Sequence, residues 1–332
     1  MNKKILLAAA VAVACGAPVA AMADANIYGQ FRYSVNSMDH DDGAGSSLSG
    51  NDNVSLFGLK ASAGDDVKAF VHLQTGAVAD ANASGAAFNQ RFYFGGLKGG
   101  FGTVAYGRMS TAYKMAGFNM DPFYNLSHVG ADGTLSTALA TYGLSPATNG
   151  FTDNAIQYTS PAMSGLKINV GMYLDDTAND DHGTGVGVAY SADNFNVGVQ
   201  FVSNDATGTV AVLGADNEAM RIHGGYKADS WSADISYETV DNTGGTADKT
   251  YTFLVGKYNM SKELQLVLTY GMVDDDNDGA DEGAGYTLGA FQTVAPKTQV
   301  YASYSAASLD NTGGPDTGAD PTVFSVGAIH KF

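Results

Sequence analysis

From residue 24 onward the chain repeats one pattern, short stretches in which apolar residues alternate with polar or small ones. In LKINVGMYL, 166 to 174, Leu166, Ile168, Val170, Met172 and Leu174 share one face, and Lys167, Asn169, Gly171 and Tyr173 the other. A helical period of 3.6 would spread the apolar positions round the axis, so a period of two means a strand. The pattern returns in MRIHGGY (220 to 226), WSADISYE (231 to 238) and ELQLVLTYGM (263 to 272). After the first 23 residues there is no apolar run of about 18, which excludes spanning helices.

Sixteen such segments are expected, at 26–36, 53–62, 66–76, 88–98, 101–108, 154–160, 165–175, 184–191, 194–204, 218–227, 230–240, 250–259, 262–273, 284–293, 296–307 and 322–332. Most approach the roughly 9 to 11 residues that a tilted membrane strand needs. Connections alternate between short ones (AGD, KGG, AD, ADS, MS) and long Gly- and Asp-rich ones such as 37–52, 205–217 and 309–321. This predicts an all-β fold, a sixteen-stranded antiparallel transmembrane β-barrel with short periplasmic turns and long extracellular loops. Lipid satisfies no backbone group, so the last strand, VFSVGAIHKF, must pair with the first, NIYGQFRYSVN. Phe332 is then expected within the wall rather than in a frayed tail.

Residues 1 to 23 read as a secretion signal. Lys3 and Lys4 precede the apolar ILLAAAVAVA, and AMA offers small residues for cleavage after Ala23. Cys15 behind AVA also permits a lipoprotein reading, though without the favoured leucine three residues upstream. Cleavage after Ala23 leaves a barrel domain of 24–332 with no cysteine, and so no disulfide, thiol nucleophile or thiolate metal site. It also leaves 15 basic against 34 acidic residues, a formal charge of −19 that argues against a nucleic-acid partner.

The stretches IYGQFR, LFGLKA (56 to 61), RFYFGGLKGGFGTVAYGR (91 to 108), NAIQYTSP (154 to 161) and the final HKF, taken in this order, resemble the general porins of the Gram-negative outer membrane. The resemblance implies a homotrimeric barrel set among outer-membrane lipid and lipopolysaccharide. Its final Phe332 would help address the outer-membrane assembly machinery, and its third long loop would fold inward. That loop is 109–153, about 45 residues, far longer than ordinary unstructured connections. A mobile external flap is the alternative, but Tyr113, Met115, Phe118, Met120, Phe123 and Tyr124 are too many apolar side chains to leave in water.

Alternation with Ile27, Phe31, Tyr33 and Val35 toward lipid points Gln30 and Arg32 into the lumen, and similar phasing turns Lys60, Lys68 and Arg91 inward. The resemblance adds Arg108 at the base of the loop, with Asp121 matching the loop acid and Asp132 a second. It implies a basic wall facing loop acids across a water-filled constriction. Leu56 stands where the family often has a basic residue, and Thr152 and Asp153 precede NAIQY without an arginine, so a thin cationic wall and a modest cation preference are expected. The bland reading of each charge is a solvated residue that keeps the lumen wet.

The function expected is passive diffusion of ions and small hydrophilic solutes across the outer membrane, without cofactor, metal or catalysis. A sugar-specific channel is the alternative, on inward-phased Phe70, Tyr93, Tyr173 and Tyr301; an adhesin or receptor barrel and a barrel enzyme also stand, the last without any GxSxG. Asp274, Asp276, Asp278 and Gly279 take calcium-loop positions, but Gly285 stands where a bidentate Glu is required. His72, His182, His223 and His330 lack ligand spacing.

Overall fold

The computed structural model describes residues 24–39, 46–77, 88–126, 143–175, 182–205, 213, 216–242, 248–276, 282–310 and 320–332. The expected signal segment 1–23, Asp132, Asp278 and Gly279 lie outside these residues.

The strands are β1 Asp24–Asp39, β2 Ser47–Asp52, β3 Leu56–Ala63, β4 Lys68–Ala77, β5 Phe88–Gly99, β6 Gly102–Met109, β7 Thr152–Thr159, β8 Leu166–Leu174 and β9 His182–Ser191. They continue as β10 Phe195–Asn204, β11 Asn217–Lys227, β12 Trp231–Asn242, β13 Lys249–Asn259, β14 Leu264–Asp275, β15 Glu282–Ala295, β16 Thr298–Asp310 and β17 Thr322–Lys331. Apart from β2 and β3, neighbours in the chain pair antiparallel, and β17 returns to β1 from Gln30↔Lys331 to Asp39↔Thr322. The barrel is closed. Both β2 and β3 pair with β1, Ser47 opposite Met38 and Leu56 opposite Gln30, so they are two halves of one stave. The wall therefore has sixteen staves.

The expected loop 37–52 is thus corrected. Its second half is strand, hidden because SLSGND offers only Leu48 as a large apolar residue. The stave breaks at Asn53–Ser55, where Val54 takes a left-handed φ of 68°.

Outward positions carry Ile27, Phe31, Val35, Val170, Val186, Val199 and Ile222, all exposed and left for lipid to cover. Rings cluster at both rims, Tyr190 with Phe195 and Tyr226 with Trp231 beside short turns, and Tyr286 with Tyr304 toward the long loops. These are the two aromatic girdles of a membrane barrel. Inward positions on the same strands are polar or small: Ser34 and Asn36 alternate with Tyr33 and Val35 on β1. A lysine or arginine set on the outer face at mid-height would cost about 2–4 kcal/mol, which enforces the phase.

One phase error follows from a bulge. Gln74 pairs with Phe92 but Thr75 with Gln90, leaving Arg91 as the extra residue. Simple alternation puts Arg91 and Tyr93 on one face. The bulge instead sets Phe92 and Phe94 opposite the lumen residues Gln74 and His72, and Tyr93 opposite outward Leu73.

Candidate pore constriction

The segment after β6 starts a helix on its own chemistry. Thr111 caps α1 (Ala112–Met120), its Oγ1 accepting from Lys114 N at 3.0 Å. Asp121 ends it: its N–H donates to Gly117 O at 3.2 Å, and its Oδ1 accepts from Phe123 N at 2.8 Å. The returning limb carries Gly143, with a φ of +95°, and a 3-10 turn at Pro146–Thr148 before Phe151.

Both limbs lie inside the barrel against its far wall. Phe123 and Leu126 pack with Val267, Phe291 and Tyr301; Met120, Tyr124 and Leu144 pack with Phe253 and Val255. Of the apolar residues expected to anchor the loop, Tyr113, Met120, Phe123 and Tyr124 are buried, while Met115 and Phe118 are half-buried and line the lumen. Gly143 meets Gly271 and Thr252 backbone to backbone, where a β-carbon would overlap Gly271.

A buried ion pair fixes the loop. Arg221 on β11 and Glu238 on β12 are register partners, Nη2 to Oε2 2.9 Å, with both side chains fully buried. Glu238 Oε1 accepts from Tyr113 Oη at 2.5 Å and from Ser145 Oγ, and Oε2 accepts from Ser145 N at 3.1 Å. Arg221 donates through Nη1 to Tyr113 O at 2.8 Å and through Nη2 to Thr148 Oγ1, and its guanidinium lies 4.5 Å from the Tyr113 ring centre. Burial, then the nearby Glu238 charge, pushes the Tyr113 hydroxyl pKa up, so it stays a donor. A β-carbon on Gly117 would stand 2.7 Å from Arg221 Nη1, so only glycine lets the helix sit this close.

On the other side the wall supplies Arg32, Arg91 and Arg108, and the loop itself adds Lys114 and Phe151. Three cations surround the Phe151 ring: Lys114 Nζ at 4.0 Å, Arg91 Cζ at 4.8 Å and Arg108 Cζ at 5.4 Å from its centre. Arg91 Nε donates to Gln74 Oε1 at 2.9 Å, Arg108 Nη1 pairs with exposed Asp153 at 2.8 Å, and Lys114 Nζ donates to Gly150 O. Arg32, nearly buried, donates to Tyr124 O at 3.0 Å. Arg32, Arg91, Lys114, Phe118, Tyr124 and Phe151 line one cavity of about 380 Å³.

The structure therefore brings Arg32, Arg91 and Arg108 to the loop. Lys60 lies lower, on the short-turn side, with Nζ 5.1 Å from the Tyr28 ring centre. Asp121, on the loop at the end of α1, is only 5% exposed. Asp132 is outside the described residues. Sequence reasoning missed Lys114, Phe151, Arg221 and Glu238. The last two carried a signal: they stand on wet faces, equidistant from a short turn, with opposite charge. Of the four aromatics expected as a track, Phe70 lines the large lumen cavity; Tyr173 and Tyr301 are buried, and Tyr93 is the register partner of outward Leu73.

A family model described as Gram-negative porin matches residues 8–312. The chain is 26% identical over 254 residues to the major outer membrane protein P.IB of Neisseria lactamica, covering 72% of this chain and 71% of that one. The anion-selective porin from Comamonas acidovorans superposes with a TM-score of 0.73 at 19% identity, over 93% of this chain and 99% of that one. OmpT of Vibrio cholerae in its trimer form gives 0.70 at 17% identity, over the same shares of the two chains. At these identities the structural likeness speaks to the fold alone.

Proposed function

Because the chain belongs to the Gram-negative porin family and is thus an outer-membrane diffusion channel, we propose that ions and small hydrophilic solutes pass between the loop 109–153 and the basic wall. The observation that carries this reading is the two described limbs of the loop, 109–126 and 143–151, seated inside a closed barrel, with Lys114 on the loop and Arg32, Arg91 and Arg108 on the wall. Passage then needs no covalent step, and selectivity comes from width and lining charge.

The expected cation preference rested on a thin basic wall and acidic external loops, with Asp121 and Asp132 carrying most of the effect inside the pore. Asp121 is instead turned into its own helix cap, and Asp153 is engaged by Arg108. Among the described residues, Arg32, Arg91 and Lys114 line the cavity beside the loop with no carboxylate side chain among its lining, and at a Debye length of about 8 Å the external loop acids are screened. The proposal is therefore a weak anion preference, opposite in sign to the sequence expectation. Burial, reinforced by Arg91 and Arg108, pulls the Lys114 ammonium pKa down to about 7. Its charge is present below that pH and lost above it, so anion preference should fall as pH rises through neutrality. Reversal potentials across a KCl gradient test this. Arg91→Gln should shift them toward cations, and Lys114→Gln should flatten the pH dependence. Cation selectivity of the unmodified protein throughout that range would overturn the assignment.

A homotrimer in lipid and lipopolysaccharide is also proposed, supported by family membership and the trimer form of Vibrio cholerae OmpT. Gel mobility before and after heating should show a trimer collapsing to a monomer; monomer migration in every mild detergent would rule it out.

A further inference from the structure

Porin interiors are polar as a rule, yet the short-turn side of this lumen holds a knot of rings. The bulge at Arg91 turns Phe92 and Phe94 inward against His72 and Phe70. Ring centres lie 4.8 Å apart for His72–Phe92, 5.1 Å for His72–Phe94, 5.8 Å for Phe92–Phe94 and 6.2 Å for Phe70–Phe94, the last three edge to face. All four are only half-buried, and they line a cavity of about 970 Å³ below α1.

Two lysines border the same cavity. Lys60 is the register partner of His72, and Lys98 Nζ stands 5.9 Å from the Phe70 ring centre. Asp24, which also lines the cavity, is held by Lys68 at 3.2 Å. Among the described residues neither Lys60 nor Lys98 has a carboxylate in ion-pair contact. Aromatic faces beside cations suit a ligand with a flat apolar body and a negative end. A neutral sugar would leave the lysines unused.

The geometry points to a lumen subsite for small aromatic carboxylates, with the ligand ring among Phe70, Phe92 and Phe94 and its carboxylate at Lys60 or Lys98. The rings supply the offset and edge-to-face contacts that aromatic pairs favour, and the lysines supply charge-assisted hydrogen bonds. This deepens, and rests on, the diffusion-channel reading.

Benzoate, cyclohexanecarboxylate and acetate would be compared in planar bilayers as blockers of the KCl current of the full-length protein, with block expressed relative to each variant's own current. Benzoate should block at about one tenth of the acetate concentration, with cyclohexanecarboxylate between, as expected of an aromatic contact of about 0.5–1.5 kcal/mol. Phe94→Leu should weaken benzoate block about 2- to 10-fold and leave acetate block in place, and Lys98→Gln, removing a solvent-exposed charge partner, should weaken benzoate block about 2- to 5-fold. Equal block by the three acids, or benzoate block indifferent to both substitutions, would overturn the subsite while leaving the channel. Absence of any KCl current would overturn the channel reading as well.

Discussion

Glu238→Ala is expected to release the inward loop, raising single-channel conductance, adding flicker to the open current and lowering the temperature at which the assembled barrel denatures. The substitution leaves Arg221 charged and fully buried, and breaking a buried pair by removing one partner costs about 3–5 kcal/mol. Tyr113 Oη and both donors of Ser145 lose their acceptor in the same step. Each buried group left unsatisfied adds about 1–3 kcal/mol before relaxation. Replacing both members of the pair, Arg221→Met with Glu238→Leu, should be milder because no isolated charge remains. Wild-type conductance and stability in Glu238→Ala would show that apolar packing alone holds the loop.

Phe332→Ala is expected to lower the amount of folded, heat-resistant barrel in the outer membrane sharply. Phe332 and Gly29 exchange both backbone hydrogen bonds, at 3.1 and 3.3 Å, at the seam where β17 meets β1. The ring also lies across Gly29, so closely that a β-carbon there would overlap it. Alanine keeps the backbone bonds and strips the cover from the glycine, the role aromatic rings play beside glycines in sheets. It also removes the residue through which we propose the chain addresses its assembly machinery. Quantifying folded against unfolded protein in isolated membranes measures the effect. Normal levels would confine Phe332 to a passive place in the wall. A second variant, Gly29→Val, should disturb the seam from the other side.

The wall was legible because every stave must put apolar residues toward lipid at a period of two, and few residues break that rule. Legibility failed where the backbone left the period. The bulge at Arg91 exchanges faces within β5, so Tyr93 and Phe94 trade the roles that strict alternation assigns them. Polar SLSGND pairs with β1 without an apolar signature, and the ladder rather than any side-chain pattern makes it a strand. The site was harder to read than the wall. Arg32, Arg91 and Arg108 stand on wall strands whose alternation could be followed, whereas Lys114 and Phe151 come together only through the course of the loop, which has no period. The side-chain contact of Asp121 was not legible, because a carboxylate at a helix end can bond its own backbone, as Oδ1 does with Phe123 N, as readily as it can face a pore.

The inward loop leaves the wall between β6 and β7 and comes to rest on β13, β14 and β15, through Leu144 on Phe253, Gly143 on Gly271 and Phe123 on Phe291. On a ring of sixteen staves that is the far side. A hollow cylinder one sheet thick resists stretching along its hydrogen bonds but bends readily across them, so lateral pressure from the bilayer would flatten it into an oval. A close-packed tie from side to side resists that deformation because packed interiors compress little. The segment that narrows the passage therefore also keeps the cylinder round.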